Sequence, residues 1–272
     1  MKNIKLVALD LDDTTLRSDS SLDPVTKDAL IKVIDAGIEV VVASGRAYRS
    51  LPKEVLNIDG VRYAITSNGA AIEKVPGGER IMSRVIPEES VHEILRSFPD
   101  VYMLEAFIEG QPYCVSEYIK DPLRYGCLKD YVNYVQTTRL PVDDMRAFIA
   151  DNATRLDSID LICRNPDEKE VYYNNAKEIG GIYVTSSSPR LVEISDAGAG
   201  KGRALRYLCS HLGINPENVT AFGNGDNDAD MLSFCGFGVA VGNATEMCKA
   251  AADYVCETNN ELGVAKTLLR MI

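Results

Sequence analysis

The chain contains only two histidines, His92 and His211, and that scarcity excludes a multi-histidine metal centre. His211 follows a helical run and precedes Leu212-Gly213, a structural setting. Positive charge is also in short supply. Lys and Arg number 29 against 40 Asp and Glu, a formal net charge of −11. Such a surface repels DNA, RNA and anionic lipid, so local groups must overcome the global field if the ligand is an anion. The seven cysteines are odd in number and form no Cys-x-x-Cys pair, as expected for buried, reduced thiols in a cytosolic protein. No apolar run approaches the length of a membrane span. The apolar part of "MKNIKLVALDLDD" is too short for a signal peptide and is interrupted by acid. Low-complexity tracts and evident repeats are lacking too. The expectation is a soluble, cytoplasmic protein of one large or two ordinary domains. Its 46% of hydrophobic residues suffices for a sizeable core. Oligomeric state is not legible at this level.

What is present is strongly punctuated. Residues 4–9 read as a buried strand. Asp23 can cap a following helix, Pro24 suits its first position and Gly37 its end, with Val25, Ala29, Leu30, Val33 and Ile34 at helical spacing. "IEVVVASGR" and "YAITSNGA" supply further apolar strands. Later, "KGRALRYLCSHLGI" reads as a helix stopped by Gly213, "NVTAF" and "FGVAVGN" as strands, and Asn243 with Glu246 as a capping box. Apolar strands alternating with helices predict an α/β fold with a doubly wound parallel sheet covered on both faces. The middle differs. Two strands joined at Pro76-Gly77-Gly78, a helix from about Pro87, strands near 101–107 and 112–116, "SIDLIC", a helix from Pro166 to Ile179, and strands near 182–186 and 190–195 suggest a smaller inserted α/β module. The segment 117–156 gives no clear pattern. The expected domains are a core of 1–83 and 187–272 and an insert of 84–186.

In an open parallel sheet, ligands bind outside the carboxyl ends of the strands. Four segments place small or polar residues there: Asp10-Leu11-Asp12, Ser44-Gly45, Ser67-Asn68-Gly69 and the 223–228 loop, with Lys201 opening the helix before the last. Close carboxylates suit a hard cation such as Mg²⁺, which also screens an incoming phosphate. One carboxylate could attack phosphorus, and the other could protonate the leaving oxygen and later activate water. Ser44, the Gly45 amide and Lys201 are suitable donors to phosphoryl oxygens.

These residues carry a resemblance. Asp10-Leu11-Asp12-Asp13-Thr14, "VVVASGR", "AGAGKGRAL" and "AFGNGDNDADML" resemble the four motifs of the haloacid dehalogenase-like (HAD) superfamily, mostly Mg²⁺-dependent phosphatases. "SNGA" and "VAVGNATEMCKAAADYV" are similar to its Cof-type branch, which carries an α/β cap (class IIB) between the second and third motifs. The resemblance covers roughly 170 residues of a Rossmann-like core. It implies Asp10 as nucleophile and Mg²⁺ ligand. It implies Asp12 as general acid/base and as a ligand through its carbonyl. Ser44, Gly45, the Leu11 amide, Lys201 and Asn227 would bind phosphate, and Lys201 would also orient Asp10. Asp228 would support the metal through water or Lys201. There are departures. Asp13 stands where glycine is common, Thr15 where a large apolar residue is usual, and Asn224 where the family places a metal-binding Asp. An Asn carbonyl can ligate Mg²⁺ without the charge, and Asp226 is a candidate to compensate.

The leading expectation is a phosphomonoester hydrolase of a small phosphorylated metabolite, such as a sugar phosphate, acting through a phosphoaspartate. A phosphomutase using the same intermediate and a catalytically weakened ligand-binding relative are the alternatives. A phospho-switch resembling a receiver domain fits poorly, since the chain is long and carries an insert.

Overall fold

A computed structural model describes residues 4–127 and 129–272. Met1–Asn3, the first residues of the segment considered for a signal peptide, and Leu128, in the unpatterned 117–156 stretch, lie outside the described residues. Two compact units are present. One comprises the residues up to Gly45, Leu51–Met82 and Gly200–Ile272; the other comprises Arg46–Ser50 and Ser83–Ala199.

The first unit is built on a sheet of β1 (Leu6–Leu9), β2 (Glu39–Ala43), β3 (Val61–Thr66), β4 (Ala71–Lys74) and β5 (Arg80–Ser83). The second supplies β6 (Met103–Ile108), β7 (Gln111–Val115), β8 (Leu140–Val142), β9 (Leu156–Ile162), β10 (Ile182–Thr185) and β11 (Leu191–Asp196). The chain then returns to the first sheet with β12 (Val219–Gly223), β13 (Phe237–Ala240) and β14 (Tyr254–Val255).

The first sheet runs in the order β14-β13-β12-β1-β2-β3-β4-β5. From β14 to β3 every neighbouring pair is parallel, and β4 returns antiparallel to β3. Every residue of β1, β2 and β12 is buried, as expected for strands with helices on both faces. Asp23 caps the helix Pro24–Asp35 by accepting from the Val25 amide at 2.9 Å. Because β1 is central, with β2 on one side and β12 on the other, the strand order reverses beside it. The crevice at such a switch point is where doubly wound sheets take their ligands.

In the second unit the sheet order is β10-β11-β9-β6-β7-β8, antiparallel except for β7 with β8. One face packs Leu104, Ala106, Ile159, Leu161, Val192 and Ile194 into a core with the helices Glu88–Ser97 and Met145–Asp151. β11 lies beyond residue 187, where the sequence suggested a return to the core. Its pairing with β9 and β10 holds it in this sheet. The unpatterned 117–156 stretch holds the helices Ser116–Lys120, Val132–Thr138 and Met145–Asp151 and the three-residue β8. Elements that short carry too few periods to register in sequence.

One cap differs from expectation. The helix Glu246–Ala250 is capped by Thr245, whose Oγ1 accepts from the Cys248 amide at 3.2 Å. Asn243 is engaged elsewhere, donating to the Asp13 carbonyl at 2.8 Å and accepting from the Asn259 amide at 3.0 Å. All seven cysteines are unbridged. Among the described residues no helix is long and apolar enough to cross a membrane.

Candidate active site

The buried run of β1 ends at Asp10, and the chain then turns sharply. Asp12 keeps an extended backbone (φ −66°, ψ 125°), Asp13 is left-handed (φ 54°), and the Leu16 amide closes the turn on the Leu11 carbonyl at 2.9 Å. A left-handed position suits glycine, and aspartate is among the few other residues that tolerate it. That accounts for Asp13 where glycine is common. Its side chain accepts from Asn259 Nδ2 at 3.4 Å, so it ties the turn down. Thr15 is buried, and its Oγ1 donates to the Asp10 carbonyl at 2.6 Å. A large apolar side chain there would leave that carbonyl without this donor.

Lys201 opens the helix Lys201–Leu212, and its side chain is 1% exposed. Its Nζ lies 2.7 Å from Asp10 Oδ1 and 2.6 Å from Asp228 Oδ1, so one ammonium bridges two carboxylates from different strand ends. Burial pushes the Asp10 carboxyl up to about 7, helped by the Asp228 charge and opposed by Lys201. Burial works against the Lys201 charge, but the two carboxylates outweigh it and hold the ammonium above its ordinary range. Asp10 Oδ2 is buried and accepts no hydrogen bond. An orphaned carboxylate oxygen in a site of excess negative charge fits a cation.

The 223–228 loop is fixed by Asp228, whose Oδ2 accepts from the Asn224 and Gly225 amides, each at 2.9 Å. Both Asp228 oxygens are thus taken by protein donors, and its link to Asp10 runs through Lys201. Asn224 Oδ1 accepts from Thr14 Oγ1 at 3.1 Å, which draws the loop to the turn after β1. Asn227 Nδ2 donates to Asn68 Oδ1 at 2.9 Å. Ser44 is buried at the end of β2, with its amide on the Ile65 carbonyl at 2.9 Å; Gly45 follows it. Asp226 accepts from Thr245 Oγ1 at 2.7 Å. Among the described residues no group of three or more His, Cys, Asp and Glu is placed to hold a metal ion.

The family model of haloacid dehalogenase-like hydrolases matches residues 7–268. The chain belongs to this family. The Bacillus subtilis phosphatase YwpJ is 29% identical over 99% of this chain and 100% of its own. The B. subtilis 5-amino-6-(5-phospho-D-ribitylamino)uracil phosphatase YcsE is 25% identical over 98% of this chain and 95% of its own. A solved haloacid dehalogenase-like hydrolase from B. subtilis superposes with a TM-score of 0.87 at 28% identity, covering 99% of this chain and 100% of that one. This HAD-like chain is accordingly an enzyme, a phosphatase of the Cof-type branch.

Within the HAD-like core, Lys201 joins Asp10 to Asp228, and Asn224, Asn227 and Ser44 are each tied to a neighbouring segment. Thr14 and Asn68 fall within runs singled out in the sequence but given no role there, and Asn259 was not singled out. An Asn-Gly pair at a strand end was the one available signal for Asn68. Nothing local marks Asn259.

Proposed function

We propose that this HAD-like phosphatase is a Mg²⁺-dependent phosphomonoesterase of small phosphorylated metabolites that works through a phosphoaspartate on Asp10. The observation that carries the reading is the state of Asp10. Lys201 holds one of its oxygens, and the other is buried without a hydrogen bond, ready to meet a cation or a phosphorus. Mg²⁺ would be held by Asp10, the Asp12 carbonyl and Asn224, and when bound it neutralises the carboxylates so that a phosphate dianion can approach.

Asp10 attacks phosphorus, and the ester P–O bond breaks as the Asp–phosphorus bond forms. Asp12 gives its proton to the leaving oxygen. Asp12 then takes a proton from water, which attacks phosphorus, breaks the Asp–phosphorus bond and frees inorganic phosphate. Ser44, the Gly45 and Leu11 amides, Lys201 and Asn227 hold the phosphoryl oxygens where charge must be stabilised. Asp228 secures Lys201 and the loop.

The substrate class is a sugar or polyol phosphate, in line with the phosphorylated ribityl compound in the name of YcsE. The net charge of −11 argues against nucleic acid as a partner, and the unbridged cysteines suit a cytoplasmic setting. The test is release of phosphate from p-nitrophenyl phosphate with Mg²⁺, its loss with chelator, and its loss in Asp10→Asn. A panel of phosphorylated metabolites then ranks substrates. Full activity in Asp10→Asn would overturn the nucleophile.

A further inference from the structure

The loop Ser67–Gly69 after β3 lies outside the four catalytic motifs, yet it is among the most constrained backbone in the first unit. Ser67, Asn68 and Gly69 all have left-handed φ, at 47°, 53° and 87°. Strained backbone of this kind persists only where surrounding contacts over-determine it. Here they do. The Asn68 amide donates to the Ser44 carbonyl at 3.2 Å, and the Asn68 carbonyl accepts from the Gly200 amide at 2.9 Å. Gly69 has no room for a side chain, since a Cβ there would sit 2.3 Å from the Gly200 oxygen. The side-chain Oδ1 of Asn68 accepts from Asn227 Nδ2, with Asn68 2% and Asn227 5% exposed.

We propose that Asn68 is a positioning residue that fixes the donor end of the Asn227 amide toward the phosphate site, and that registers Ser44 and the Lys201 helix against it. This rests on the phosphatase reading above. The physical point is the polarity of the amide. With Asn68 Oδ1 as acceptor, the Asn227 NH₂ group spends one hydrogen on Asn68 and keeps one for a phosphoryl oxygen. Turned end for end, Asn227 would set its own oxygen against Asn68 Oδ1 and offer no donor to an anion. Through its main chain the same residue touches Ser44 and the residue before Lys201. Three of the groups that would hold phosphate are thereby referenced to one side chain and its backbone.

Asn68→Gly separates these roles, because glycine accepts the left-handed backbone and keeps the main-chain hydrogen bonds while deleting the acceptor. Kinetics with p-nitrophenyl phosphate, inhibition by inorganic phosphate and Tm are measured for wild type, Asn68→Gly, Asn227→Ala and the double variant. Asn68→Gly is expected to lower kcat/KM by about 5–30-fold and to weaken phosphate inhibition in step. Added to Asn227→Ala it is expected to change kcat/KM by less than about twofold, because its effect passes through Asn227. Wild-type kinetics in Asn68→Gly, or losses that multiply in the double variant, would overturn the proposal. A merely structural role would lower Tm and multiply. If Asn68→Gly does not fold, Asn68→Ser, which withdraws the acceptor, enters the same cycle. An inactive wild type would sink the phosphatase reading instead, so the two failures are told apart.

Discussion

Lys201→Met is the sharpest probe of how the site is held together. Methionine keeps most of the apolar volume of the lysine stem and removes the ammonium. In the native arrangement that ammonium, 1% exposed, lies 2.7 Å from Asp10 and 2.6 Å from Asp228. Its loss leaves two buried carboxylates facing each other without compensation. Removing one partner of a buried ion pair costs about 3–5 kcal/mol, which for a chain of this size is a fall in Tm of roughly 6–20 °C. Protonation sets the pH dependence. Burial and the Asp228 charge already push the Asp10 carboxyl up to about 7, and loss of Lys201 removes the charge that opposes this rise. A carboxyl whose folded-state value lies above its unfolded value favours the folded state at low pH and loses that advantage as pH rises. The deficit of the variant, measured by thermal unfolding in chelator, is therefore expected to be smallest near pH 5 and to grow toward pH 8. Activity toward p-nitrophenyl phosphate is expected to fall by about 10²–10³-fold, the usual cost of losing a preorganised donor to the reacting group. A Tm within about 2 °C of wild type at pH 8 would refute the view that this lysine neutralises a buried pair.

Three further expectations follow from the geometry. Asn224→Asp adds a carboxylate where the amide oxygen accepts from Thr14, and is expected to lower the Mg²⁺ concentration for half-maximal activity by about tenfold. An unchanged Mg²⁺ dependence would remove residue 224 from the cation site, and activity appearing only in the variant would mark the wild type as a silent relative. Gly69→Ala forces a Cβ to 2.3 Å from the Gly200 oxygen at a φ of +87°, and is expected to cost about 2–4 kcal/mol in urea unfolding. A loss below about 1 kcal/mol would show that the 67–69 loop yields easily. In the second unit, Arg139 meets both oxygens of the buried Glu105 at 3.0 Å. Arg139→Met strands that carboxylate and is expected to cost about 3–5 kcal/mol by denaturant titration, whereas an effect under about 1 kcal/mol would show that the buried carboxylate does not depend on this arginine.

The sequence by itself determined the strands and the candidate reactive groups. β1, β2, β12 and β13 coincide with largely apolar runs, because a strand buried on both faces needs apolar side chains and those are visible locally. Asp10 and Ser44 could be named because each follows the carboxyl end of such a strand, Lys201 because it starts the helix before another such strand, and Asp228 through its place in the run that resembles the family's fourth motif. Only the tertiary structure decided which group holds which. The bridge from Lys201 to Asp10 and Asp228, the bond between Thr14 and Asn224, and that between Asn68 and Asn227 join residues 191, 27, 210 and 159 positions apart. No local pattern encodes contacts at such separations. Thr245 in place of Asn243 as a helix cap, and the bond from Thr245 to Asp226, were decided in the same way. A polar side chain with several partners in reach takes the one that packing brings to it, and the packing of this sheet set the partners.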